Sequence, residues 1–229
     1  MFAVCSNEFK TMFKSIRSII IIIFIVSSTV LVANLIDKFA FKLQDLGIGD
    51  NVYVAGLTTL LYLLGPLFVT SISHNLINKE TYTRRIRFVV TKVSRDEIIM
   101  GKFFGVLLFW VLCLFFSLIL ILPLTNSFYI YELIKDIIFI SYFVSLTLLL
   151  SSIINSQQMT MFLGVILSVI FPILSLVVVN TDNMYIKAVG YLTPYPYFNE
   201  ESLNAPYLVL IFTIIFLCIS LLTFRRKDL

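Results

Sequence analysis

Six stretches of the chain stay apolar for about the 20 residues that a helix needs to cross a bilayer. They cover residues 18–36, 52–73, 103–122, 133–154, 159–179 and 207–224. The apolar residues run continuously rather than alternating, which excludes the period-two pattern of a membrane strand barrel. Five of the six cores hold no Asp, Glu, Lys or Arg. The fourth carries Lys135 and Asp136 near one end, where a charge can snorkel to the interface. The pattern predicts an all-α membrane protein, with residues 1–229 forming one domain of six transmembrane helices.

Two further segments are amphipathic rather than apolar. Before the first span, Phe2, Cys5, Phe9, Met12, Phe13 and Ile16 recur at spacings of three and four, with Glu8, Lys10, Lys14 and Arg17 on the other face. This spacing predicts an interfacial helix lying on the membrane. Between spans two and three, Tyr82, Ile86, Val89, Val90 and Val93 form one face. Glu80, Arg84, Arg87, Thr91 and Arg95 form a polar stripe that a helix of period 3.6 keeps in line. Glu80 and Arg84 stand four residues apart, a favourable pairing. The stripe suits docking of a partner; a solvated loop that only anchors orientation is the simpler alternative.

Composition agrees with the pattern. Of 229 residues, 59% are hydrophobic and only 13% charged, and the mean hydropathy is +1.00. A chain of this kind cannot cover a water-facing surface with polar groups. Of the 17 Lys and Arg, all but Lys38, Lys42, Lys135 and Lys187 fall before span one, between spans two and three, or after span six. In a six-span chain those regions share one side, which the positive-inside rule makes cytoplasmic, with both termini inside. The apolar run at 18–36 is too long for a cleaved signal peptide and lacks a small-x-small cleavage site.

Catalytic constellations are missing. His74 is the one histidine, and Cys5, Cys113 and Cys218 lie far apart without metal-ligand spacing. Neither GxSxG nor HExxH occurs, and Glu200-Glu201 lacks the partner residues of an intramembrane protease. Gly101-Lys102 is followed by Phe103, and Asp96 stands where a phosphate loop needs its first glycine. The chain is not expected to be an enzyme, to bind ATP or a metal itself, or to meet nucleic acid.

Three motifs resemble a known family. The loop from Glu80 through Ile86-Arg87-Phe88 and Thr91-Lys92-Val93-Ser94-Arg95 to Gly101-Lys102 is similar to the cytoplasmic signature of ABC type-2 transporter permeases. YLTPYPYFN before span six and the tail FRRKDL resemble the same family's aromatic segment and basic ending. Arg84-Arg85 and Lys92-Val93 depart from its usual Gly-Thr pair and proline. The resemblance implies a permease subunit of a bacterial exporter in the cytoplasmic membrane, surrounded by lipid and paired with a second copy or a sister permease. Cytoplasmic ABC ATPase subunits would bind ATP and Mg and supply the energy. Glu80, Arg84, Arg87, Ser94 and Arg95 would then couple the two. Thr58, Thr59, Tyr62 and Ser168 either line a pathway or join helices. Nearly charge-free span cores favour an amphipathic or apolar cargo such as a peptide, a bacteriocin or a lipid-like molecule. A second reading is a non-transporting immunity or sensor protein against an extracellular toxin.

The charge bias makes one direct prediction. In a cysteine-free background, an impermeant thiol reagent applied from outside should miss a cysteine at Thr91 and label one at Asn183. The reverse pattern would invert the topology.

Overall fold

The computed structural model describes residues 1–44, 52–83, 92–125, 128–181, 183–199 and 204–227. All regular structure among the described residues is helical. In chain order the helices are α1 (Phe2–Lys14), α2 (Ile16–Gln44), α3 (Val52–Ser73), α4 (Asn78–Tyr82), α5 (Arg95–Thr125), α6 (Ile130–Ile153), α7 (Gln157–Asn180), α8 (Met184–Gly190), α9 (Tyr195–Asn199) and α10 (Ala205–Arg225). Six segments, built on α2, α3, α5, α6, α7 and α10, are long and apolar enough to cross a membrane. Each overlaps one of the six apolar runs.

Helix α6 is the centre of the bundle. Two thirds (67%) of its most apolar stretch is buried, against 22% for α7 and for α10. It packs on α3, α5, α7 and α10. Many outward residues of the other spans are large and apolar, among them Ile23, Leu63, Phe162, Leu176 and Ile214. A bilayer offers no hydrophobic penalty for this exposure, so packing and hydrogen bonds must hold the helices together.

Pro66 shows how such a bundle answers a helix breaker. Proline has no N–H to give the carbonyl four residues earlier, here that of Tyr62. The Tyr195 hydroxyl, from the aromatic segment before α10, donates to that carbonyl at 2.9 Å. The same segment accepts from α6, where the Tyr142 hydroxyl donates to Leu192 O at 2.7 Å. The YLTPYPYFN motif is thus a polar staple on α3 and α6.

The amphipathic segments differ from expectation in detail. Ser15 takes an extended conformation that separates α1 from α2. Helix α1 lies along α5. Glu8, assigned to its outer polar face, is buried at 8% exposure, whereas Phe2 is 86% exposed. Helix α4 ends at Tyr82, Lys92, Val93 and Ser94 are not helical, and Arg95 opens α5. Glu80 and Arg95 are therefore not on one continuous helix. A local cap decides this: Ser94 Oγ accepts from Glu97 N, and Glu97 Oε2 accepts from Ser94 N, both at 3.3 Å. This reciprocal box starts a new helix at the point where the stripe should have continued. Arg84, Arg87 and Thr91 lie outside the described residues.

Glycine lets α1 approach α5. A Cβ at Gly105 would stand 2.8 Å from Glu8 Cβ and 2.9 Å from the Cys5 carbonyl oxygen. One at Gly101 would stand 2.8 Å from Val4 Cβ. Gly105→Leu should therefore push α1 off α5 and cost about 1–3 kcal/mol. Gly65→Ala meets only ordinary contacts, the nearest at 3.4 Å, and should be neutral or stabilising. Thermal unfolding in detergent measures both.

A buried charge cluster at one end of the bundle

The GKFFG sequence at 101–105 places Lys102 between the two glycines that receive α1. Lys102 is 2% exposed. Its ammonium lies 2.6 Å from Glu8 Oε1 of α1 and 2.8 Å from Glu80 Oε1 of α4. One cation thus joins the N-terminal helix, the segment after span two and the start of span three. An ammonium taken out of water pays a large desolvation cost, and only well-placed carboxylates offset it. Glu80 was expected to pair with Arg84; in the described structure it is Lys102 that Glu80 Oε1 meets.

The first turn of α5 is tied to the end of α10. Arg95 Nη1 donates to the carbonyls of Phe224, Arg225 and Lys227 at 3.3, 2.5 and 3.0 Å. Phe224 and Arg225 are the last two residues of α10, whose carbonyls the helix end leaves without intrahelical donors, and Lys227 lies two residues beyond it. Asp96 takes the Arg225 guanidinium in a two-pronged contact, with Nε on Oδ1 at 2.7 Å and Nη2 on Oδ2. Lys227 donates to Ser152 O at the end of α6, 3.0 Å away, and partial burial pulls its ammonium below the usual lysine value. Ser151 Oγ receives the N–H groups of Ile77 and Asn78, and Asn78 Nδ2 reaches Thr160 Oγ1 of α7 at 2.8 Å. Both ends of the described chain are thus held at one end of the bundle.

The cluster brings together some of the residues singled out for coupling. Glu80 faces Lys102, Ser94 caps α5 and Arg95 caps α10, so all three make contacts within the chain. Arg84 and Arg87 fall outside the described residues. The residues considered for a pathway are scattered. Ser168 is buried, hydrogen-bonded to Thr70 of α3 at 3.2 Å and to the Gly164 carbonyl at 2.7 Å. Thr59 is exposed, and Thr58 Oγ1 is buried without a hydrogen-bond partner among the described residues. Tyr62 packs on Phe139, with ring centroids 4.5 Å apart, and on Phe198.

Span four requires a correction. Lys135 does find company, at 2.6 Å from Glu132 Oε2 and over the ring of Tyr131. Asp136 does not snorkel: it is fully buried, and neither carboxyl oxygen has a hydrogen-bond partner among the described residues. It sits one turn from Phe139, which is also buried and packs on Tyr62 of α3. The helix position of a residue was readable from the sequence, but its facing was not. Glu8 and Lys102 were missed for a similar reason. The signal available for Lys102 was a lysine between glycines four apart at the edge of a span.

The fold defines a multi-pass helical membrane protein with six spans and no metal-binding cluster among the described residues. The family model described as ABC-2 family transporter protein matches residues 2–229, and the chain belongs to that family. No curated protein matches it. Membership makes it a membrane transport component of a generally non-catalytic kind and implies association with ABC ATPase subunits.

The cluster predicts a specific pattern of stabilities. Lys102→Met strands two carboxylates and should cost about 3–5 kcal/mol. Adding Glu8→Gln and Glu80→Gln removes the stranded charges and should recover most of that loss. Unfolding in detergent compares the variants; a triple variant no more stable than Lys102→Met would show that the charges do not act as one unit.

Proposed function

We propose that this chain is the permease subunit of an ATP-driven exporter in a bacterial cytoplasmic membrane, carrying an amphipathic or apolar cargo outward. The family match over residues 2–229 carries this reading. A phosphate loop is absent from the sequence, so energy comes from cytoplasmic ABC ATPases that bind ATP and Mg. A second permease copy or a sister permease completes the translocation unit. The Lys102 end faces the cytoplasm, as the placement of Lys and Arg favours. Cargo of peptide, bacteriocin or lipid-like chemistry suits spans whose polar groups are mostly hydroxyls bonded to carbonyls of their own helices. Asp136, enclosed within the bundle, is the exception.

The coupling surface in this reading centres on the 84–91 connection, with Arg84 and Arg87 as the ATPase-facing charges. Glu80, Ser94 and Arg95 act by holding the helices on either side of it. Truncating one member of a charge pair at a partly desolvated interface costs about 2–5 kcal/mol, whereas an exposed pair is worth about 0–1. Arg87→Glu should therefore leave unfolding temperature unchanged and reduce co-purification of the partner ATPase by about 30-fold or more. In proteoliposomes, the wild-type pair should export a membrane-active peptide on ATP addition. Binding of an extracellular toxin with no ATP-dependent movement of any cargo would favour the immunity reading instead.

A further inference from the structure

At the Lys102 end, a cavity of about 680 Å³ opens between α1, the start of α2, the end of α3 and α4. Glu8, Glu80 and Lys102 line it, and so do Lys14, Arg17 and Lys79. Those last three cations come from three elements: the last residue of α1, the second of α2 and the second of α4. All three are exposed. Among the described residues, none has a carboxylate within ion-pair distance. The lining therefore holds four cations against two carboxylates, and both carboxylates already face Lys102.

The backbone adds to this field. Ser15 lines the cavity, and the first N–H of α2 to bond back is that of Ile19, to Ser15 O at 3.1 Å. The N–H groups ahead of it open the helix without intrahelical acceptors, and they favour an anion. Hydroxyl and amide groups of Thr11, Ser71 and Asn75 supply neutral partners around the same space.

One wall of the site continues into apolar surface. Directly beyond Arg17, α2 turns Ile20, Ile23 and Phe24 outward, at 60%, 61% and 44% exposure. Phe24 meets Phe68 of α3 edge to face at 5.7 Å. Phe24 lies seven residues past Arg17, about 10 Å along the helix. A cationic pocket opening onto an apolar wall along a spanning helix matches a molecule with a phosphate at one end and acyl chains at the other. A free anion needs no such wall, and a soluble partner would approach from the aqueous side.

We infer that Lys14, Arg17 and Lys79 form a binding site for the phosphate headgroup of an anionic phospholipid, whose acyl chains lie along Ile20 and Phe24. The lipid wedges between α1 and the bundle and neutralises the excess positive charge beside the Glu8–Lys102–Glu80 cluster. This site needs no ATPase and no cargo, so it stands or falls apart from the transport reading.

The test uses the full-length protein in nanodiscs containing equal phosphatidylglycerol and phosphatidylcholine, with the lipid retained after mild detergent extraction counted by native mass spectrometry. The wild type should retain phosphatidylglycerol over phosphatidylcholine by about tenfold or more. The triple variant Lys14→Gln, Arg17→Gln, Lys79→Gln should lose that preference, and Arg17→Gln alone should lose part of it. Lys10→Gln with Arg226→Gln, which removes charge away from the cavity, should keep it. Equal retention by the triple variant and the wild type would overturn the site. Displacement of the lipid by millimolar inorganic phosphate would reassign it to a free anion. A triple variant that keeps the lipid but loses ATPase co-purification would reassign the cations to a protein partner.

Discussion

A lysine ammonium buried where a spanning helix begins must be neutralised within the protein, and the arrangement of this end of the molecule follows from that. Lys102 sits on α5 at a depth where water does not solvate it. Its two carboxylates arrive from 94 residues earlier and 22 residues earlier in the chain. For Glu8 to reach it, α1 must lie flush on α5, and Gly101 and Gly105 provide the room. For Glu80 to reach it, the chain leaving span two must turn back toward the bundle, which the α4 turn achieves with its first N–H groups bonded to Ser151. The ion triad is thus weak as a source of net stability and strong as a constraint on geometry, since losing the lysine leaves two carboxylates without a counter-charge.

The constraint extends from α5 to α10 and α6. Arg95 and Asp96 hold the end of α10 by its carbonyls and by Arg225, and Lys227 holds the end of α6. The 84–91 connection therefore joins two helices, α4 and α5, whose facing ends belong to the same polar network.

The bundle's interior follows a different rule. With lipid as apolar as leucine, the spans are joined by close packing and by polar groups that find partners on neighbouring helices. Tyr195 completes the hydrogen bond that Pro66 removes from α3. Ser168 and Thr70 join α7 to α3. Asp136 breaks the rule: it is a fully buried carboxyl without a hydrogen-bond partner among the described residues, on the most enclosed of the six spans described.

Helix existence, number and approximate extent were legible in the sequence, because a bilayer demands about twenty apolar residues and fully hydrogen-bonded backbone, and both requirements are local. The family was legible in the loop signature and the span order for the same reason. Facing was not. Glu8 reads as the polar side of an amphipathic helix until α5 supplies a lysine for it. Glu80 reads as the partner of Arg84 until Lys102 comes within reach. Asp136 reads as a charge at a span edge until α3 and its neighbours close over it. Even the polar stripe from Glu80 to Arg95, regular in sequence, yields to the Ser94–Glu97 cap that starts a separate helix. Periodicity along one chain segment fixes which residues share a face. What that face meets depends on residues tens of positions away, and only the packed bundle decides it.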